Sequence, residues 1–266
     1  MSAPPIAGDF LSLLQESRTA SLRLAGPSSA PVETQATSVF AFHFAGGVLM
    51  AGDRRATAGN VIVTDRVEKI IEIDSTSLLA IAGVPATAFE MARVLQTSFE
   101  YYRRSQLQPL SLAAKVRALA RLLRENMPMT MQGVGIVVPL FAGLEPGPPG
   151  LARPAIFFYD PLGAQFQAVG FAASGSGASV IRSVISFQER YGSPQPSAMD
   201  LPGAVRFALR LLSTAAEFDS ATGGVDVAAG QFATIRLLSP SGVASVGDAD
   251  QAAFMRMGQA GQTHTP

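Results

Sequence analysis

The spacing of apolar residues changes several times along this chain, and each change marks an expected element. Residues 1–36 hold a short amphipathic piece, Phe10 to Leu14, then Ser-, Pro- and Ala-rich sequence ending in GPSSAPVETQA. That composition predicts a flexible leader with a helical turn or two. At Thr37 strict alternation begins. In TSVFAFHF, Phe40, Phe42 and Phe44 share one face and Val39, Ala41 and His43 the other. A period of two is that of a strand. The turn Ala45-Gly46-Gly47 and the run VLMAGD complete a β-hairpin over 37–53. DRRATAGN reads as a loop, NVIVTD as a short strand, and VEKIIEID with SLLAIAG as a second hairpin.

Past residue 83 the period lengthens. Residues 86–105 and 111–127 place apolar side chains at helical spacing. Arg117, Arg121 and Arg124 fall on one face of the second helix, a stripe suited to solvent or a neighbouring subunit. Strands return in GVGIVVPLFAGL, AIFFYD and AQFQAVGF, with the proline-rich EPGPPGLARP between the first two. The turn ASGSG opens a helix from about Ser176 to Tyr191, and another spans about Pro202 to Glu217. SATGG breaks that helix, and FATIRLL with GVASV supplies the last strands. The tail after about residue 250 is expected to be flexible. Strand groups separated by helix pairs need helices on the outer faces of two packed sheets, which predicts an α+β chain folded as a four-layer α/β/β/α sandwich.

Composition narrows the chemistry. Apolar residues make up 48% of the 266, enough for a sizeable core, while charged residues are only 15%. An average soluble domain carries about 25% charge, so a surface this poor in charge suits one covered by neighbouring subunits. The absence of Cys excludes disulfides, thiol nucleophiles and cysteine metal sites. His43 and His264 are the two histidines, neither placed for a metal site, and no metal or organic cofactor is expected. Twenty acids balance twenty bases, so no basic field argues for nucleic acid. No stretch approaches the ~20 apolar residues of a membrane span. The N-terminus has no basic start and carries Asp9 where a signal peptide needs an apolar run, which predicts a cytoplasmic protein.

Without Cys, and with so little His, the hydroxyl nucleophiles remain. A Thr or Ser hydroxyl is weak until a base takes its proton, and a free N-terminal amine, with pKa about 8, can serve as that base. Thr37, at the junction of a dispensable leader and a strand, stands where such a mechanism requires it. Asp53 ends the second strand of the same hairpin and so returns towards Thr37; it serves equally as a turn former. Lys69, inside the apolar run VEKII, needs a partner when buried, and Asp53 is the obvious one. The pair reads either as a structural ion pair or as a cation that lowers the amine's pKa. Gly83 ends SLLAIAG, where a backbone N–H can bind an oxyanion or the glycine can simply make a turn.

With these residues in place the sequence resembles a known family, the catalytic β-subunits of the 20S proteasome, closest to the actinobacterial type. The resemblance covers nearly all of 37–250. Its most specific block is FAGGVLMAGDRRATAGNVIVTDRVEKI, followed in order by GVPATAFEMARVL, ASGSG and DSATGG. Asp53, Thr57, Lys69 and Gly83 lie 16, 20, 32 and 46 residues after Thr37, in the family's register. The resemblance implies the N-terminal nucleophile hydrolase form of the sandwich, with Thr37 as nucleophile, its own amine as proton shuttle, and Asp53 and Lys69 beside it. Ser176, Asp219 and Thr222 match the group supporting the amine. The Gly83 amide matches the oxyanion donor, and the Thr57 and Gly83 backbones match those that hold substrate as an added strand. Residues 1–36 match a propeptide, removed when the Thr37 hydroxyl attacks the Ala36 carbonyl.

The implied protein is a threonine endopeptidase in a ring of identical β-subunits. Rings of α-subunits flank it, a ring ATPase feeds it, and its substrates are unfolded or tagged proteins. Ala56, Val67, Ile81 and Pro85 match its side-chain pocket and are small or apolar, which predicts cleavage after apolar residues. The sequence departs from the family pattern in four places. Ala36 replaces the usual Gly, Ser38 stands where Thr is common, Thr222 where Ser is frequent, and Pro85 where a small residue is usual. Thr34 is a rival processing site but moves every other spacing out of register. Three other readings compete: a silent ring subunit, a simpler bacterial heat-shock protease of the same superfamily, and a non-proteolytic amidohydrolase.

Overall fold

The computed structural model describes residues 37–58, 61–145 and 153–260. Strands β1 (Ser38–Phe44), β2 (Gly47–Gly52), β10 (Phe171–Gly175), β11 (Thr234–Ser239) and β12 (Gly242–Ser245) form one sheet, in the order β10-β1-β2-β11-β12. A second sheet holds β5 (Ile70–Asp74), β6 (Ser77–Ala80), β7 (Leu140–Leu144), β8 (Pro154–Tyr159) and β9 (Gln165–Ala168) in sequence order. Neighbouring strands in both are antiparallel. Helices α1 (Pro85–Gln106) and α2 (Leu112–Glu125) pack on the second sheet, and α4 (Ala178–Tyr191) and α5 (Leu201–Phe218) on the first. A short helix, α3 (Met127–Met131), follows α2.

Three apolar clusters fill the three spaces between these four layers. Alternation in β1 divides its side chains as the pattern requires. Phe40, Phe42 and Phe44 join Leu49 and Ala51 of β2 against Ile181, Leu209 and Leu212 of the helices. Phe42 meets Phe207 edge to face, with ring centroids 5.6 Å apart. On the opposite face Val39, Ala41, Val48 and Met50 meet Leu78, Ala80, Leu140 and Ile156 of the second sheet. The outer face of that sheet, including Leu79, Ile81 and Phe141, packs on Leu95, Phe99, Leu119 and Leu123. The fold is therefore the α+β four-layer sandwich, and β1 lies in its middle with both faces buried.

The helices begin where capping chemistry favours them. Ser111 accepts a hydrogen bond from Ala114 N ahead of α2, and Asp200 accepts one from Gly203 N ahead of α5. Pro85 opens α1, at a position where no amide hydrogen is needed.

Three expectations are corrected. The segment read as a loop, DRRATAGN, contains a strand, β3 (Ala56–Ala58), paired with β4 (Val61–Thr64). Three residues are too few to show a period of two. The run GVGIVVPLFAGL is a strand only from Leu140, because Pro139 has no amide to donate to a ladder. Before it, Val137 forms a single bridge to Gly83. Of the tail expected to be flexible after about residue 250, residues 261–266 lie outside the described residues, and the part up to 260 is in helix α6 (Asp248–Ala260). It is docked by buried Gln251, which donates to Ala233 O and Val246 O and accepts from Ala233 N. Phe254 and Met255 also pack on the core, but a polar side chain tied to backbone leaves no hydropathy signal. The leader 1–36, with Ala36 and Thr34, lies outside the described residues.

Candidate active site

The site forms where β1 begins. Thr37 precedes the strand and is 5% exposed, and its carbonyl accepts the Ser176 amide at 2.9 Å. Hairpin β1–β2 returns the chain so that Val39 pairs with Gly52, which puts Asp53 beside Ser38. The Asp53 carboxylate is 1% exposed and receives four donors. Lys69 Nζ at 2.7 Å and Ser38 N at 3.0 Å reach Oδ1; Gly223 N at 2.9 Å and Arg55 N at 3.0 Å reach Oδ2. With both oxygens fully used, Asp53 holds Lys69 in one position, and the pair satisfies the requirement that a buried charge be matched.

Burial pushes the Lys69 ammonium below the ordinary lysine value, and nearby Arg55 adds to that. The Asp53 and Asp219 carboxylates pull the other way without cancelling it. The chain's other lysine, Lys115, is equally buried but belongs to helix α2, from which it pairs with Asp74 at 2.6 Å and Thr76 Oγ1 at 2.7 Å. Lys115 belongs to the core, so Lys69 is the one that meets Thr37.

A second polar group lies on the β10 side. Asp219 Oδ2 accepts from Ser176 Oγ at 2.5 Å and from Thr222 Oγ1 at 2.6 Å. Thr222 Oγ1 also contacts Ser38 Oγ at 2.6 Å, and both residues are fully buried. The loop carrying Asp219 and Thr222 is tied to the first group by Gly223 N on Asp53 and by Arg55 Nη1 on Ser220 O at 3.2 Å.

Thr37 and Lys69 line a narrow pocket with Ala56, Val67, Ile81, Gly83 and Pro85. Four of the seven contribute only apolar side chains, and Gly83 presents backbone alone. The bridge to Val137 is made by Val84 N on Ile136 O and Val138 N on Ala82 O, which leaves the Gly83 amide facing away from Val137. Two residues earlier, the Ile81 amide donates to Lys69 O. Gly83 itself lines the pocket, so an amide turned away from Val137 stands free on the pocket's side of the bridge. Only glycine fits there: φ is +110°, and a Cβ would lie 2.1 Å from Ile136 O. Thr57 is buried on β3, and its hydroxyl has no partner among the described residues.

All the described residues singled out by spacing thus fall in this one region except Thr57, which lies on the neighbouring hairpin. Arg55, Gly177 and Gly223 were not singled out. The two glycines are the last of ASGSG and the first of the GG in SATGG, so the signal was present but carries no side chain.

A layered α/β/β/α sandwich with a Thr at the start of a central strand, a buried Asp–Lys pair beside it and a pocket-lining glycine amide defines a class, the N-terminal nucleophile fold. Within that class the chain belongs to the proteasome subunit family, whose model matches residues 33–229. It is 35% identical over 242 residues to a proteasome subunit beta of Acidimicrobium ferrooxidans, covering 91% of this chain and 85% of that one. It is 35% identical to the proteasome subunit beta of Acidothermus cellulolyticus over 85% of this chain and 76% of the relative. For that of Stackebrandtia nassauensis the identity is 36%, over 86% of this chain and 80% of the relative.

Proposed function

We propose that this chain is a catalytic β-subunit of a proteasome core particle, a threonine endopeptidase that uses Thr37 as nucleophile. The convergence of Thr37, Lys69 and the Gly83 amide on one apolar pocket carries the reading. Residues 1–36 act as a propeptide: Thr37 Oγ attacks the Ala36 carbonyl and passes its proton to the leaving nitrogen, the 36–37 C–N bond breaks to free the Thr37 amine, and water hydrolyses the resulting ester to release residues 1–36 and restore the hydroxyl. In peptide cleavage that amine takes the Thr37 hydroxyl proton as Oγ attacks the scissile carbonyl. The oxyanion of the tetrahedral intermediate is stabilised by the Gly83 N–H. Collapse breaks the C–N bond, the amine's proton goes to the leaving nitrogen, and an acyl ester remains on Thr37. Water, losing a proton to the same amine, attacks the ester, and the amine passes that proton to Oγ as the C–O bond breaks and the acid product leaves.

Lys69 supplies a fixed cation that keeps the neighbouring amine free to accept a proton and steadies the developing alkoxide. Asp53 holds that cation in place, and the Ser176–Asp219–Thr222 group holds the β10 side. Substrate adds as a strand along the Thr57 and Gly83 backbones. The walls Ala56, Val67, Ile81 and Pro85 carry no charge and the Lys69 cation beside them is already paired with Asp53, so an apolar side chain precedes the cut. The subunit assembles into a ring with further copies of itself, flanked by α-subunits and fed by a ring ATPase, in the cytoplasm.

A matched set of peptides differing only in that residue tests the reading on assembled particles. Apolar residues are expected to give kcat/KM about tenfold or more above acidic and basic ones, the penalty of placing a charge in an unpaired apolar pocket. Equal cleavage after charged residues contradicts it.

A further inference from the structure

We propose that Ser38 is a positioning residue for the Thr37 nucleophile, acting through a one-way chain of hydrogen bonds that joins the two polar groups of the site. The proposal rests on the threonine-nucleophile reading above.

The direction of the chain follows from counting protons, since each hydroxyl has one to give. Thr222 Oγ1 donates to Asp219 Oδ2 at 2.6 Å, and a carboxylate gives nothing back. With its proton committed, Thr222 Oγ1 can only accept at its 2.6 Å contact with Ser38, so Ser38 Oγ is the donor. Ser38 Oγ in turn accepts from the Gly177 amide at 3.0 Å. The chain runs from Gly177 N–H through Ser38 and Thr222 to Asp219, every proton pointing towards the carboxylate. Ser38 and Thr222 are both fully buried, so neither has solvent as an alternative partner. A Cβ at Gly177 would lie 2.5 Å from Ser38 Oγ and 2.8 Å from Thr222 Oγ1, so the glycine is what admits the amide to this contact.

The backbone of Ser38 is fixed by the opposite group. Its amide donates to Asp53 Oδ1, the oxygen that also receives Lys69 Nζ. Ser38 is therefore bonded through its main chain to the Asp53–Lys69 pair and through its side chain to the Thr222–Asp219 pair, one peptide bond from the nucleophile. The Thr37 carbonyl is held as well, by the Ser176 amide. Removing the hydroxyl frees one anchor of the peptide that aims Thr37 Oγ, and misplacing a reacting atom by ~1 Å lowers the rate about 100-fold. Ser38 does not line the pocket, so substrate affinity is not expected to change.

The test uses assembled particles in which every β-subunit carries Ser38→Ala, Ser38→Val or Ser38→Thr. Val and Thr occupy nearly the same space and differ in the hydroxyl. Ser38→Ala and Ser38→Val are expected to lose about tenfold or more in kcat with KM within about twofold, and Ser38→Thr to stay within about threefold of wild type. Failure of Ser38→Val to shed residues 1–36 when Ser38→Thr sheds them counts as the same loss, because processing uses the same hydroxyl. Equal kcat for the Thr and Val variants, or an unchanged Ser38→Ala, overturns the proposal alone. Wild-type particles that cleave no peptide overturn the nucleophile reading, and this proposal with it.

Discussion

In the proposed mechanism Lys69 serves Thr37 only as long as it keeps its proton, and its surroundings make that harder than usual. Burial disfavours the cation and the Arg55 charge adds to the effect, so its pKa lies below the ordinary lysine value. A group that must be cationic and has a depressed pKa is lost earlier as pH rises. The basic limb of kcat/KM is therefore expected to fall with a midpoint below about 10.4, the value of a free lysine. Activity undiminished up to that pH would remove the cationic role. At this scale the sequence was informative where a residue type is scarce. Two lysines and no cysteine left few candidates, and a lysine inside VEKII had to find an acid. The partners of Asp53 were not legible, since three of its four donors are backbone amides, and amides have no sequence signature.

Among the elements, β1 and β2 were readable because both faces of β1 are buried between unlike layers, so the alternation of Phe40, Phe42 and Phe44 with Val39 and Ala41 is strict. Helix α6 was not. It is held by Gln251, whose amide makes three hydrogen bonds to the backbone of Ala233 and Val246. Gln251→Ala leaves buried backbone groups unmet and is expected to destabilise the chain by about 1–3 kcal/mol. A denaturation midpoint equal to wild type would show that these three hydrogen bonds contribute nothing to stability. The start of β7 and the strand Ala56–Ala58 were missed for a related reason: one is set by the missing amide of Pro139, the other by pairing with β4. Neither is a matter of hydropathy.

At the scale of the whole molecule, a surface poor in charge also exposes large apolar side chains in pairs. Phe158 stacks on Phe166 and Phe187 meets Tyr191, each with centroids 5.2 Å apart, and all four are exposed. Such pairs support the proposal that other subunits cover this surface in an assembled particle. Among the described residues no helix is long and apolar enough to cross a membrane. On the proposed reading Thr37 frees itself to become the nucleophile, and Ala36, with a methyl where glycine is usual in the family, is the feature most able to oppose it. The direct measurement is the intact mass of the chain assembled with its α-subunit, beside a Thr37→Ala control. Loss of residues 1–36 from the wild type and not from the control is the predicted result. A full-length wild-type chain in assembled particles, or equal trimming of the control, would contradict it.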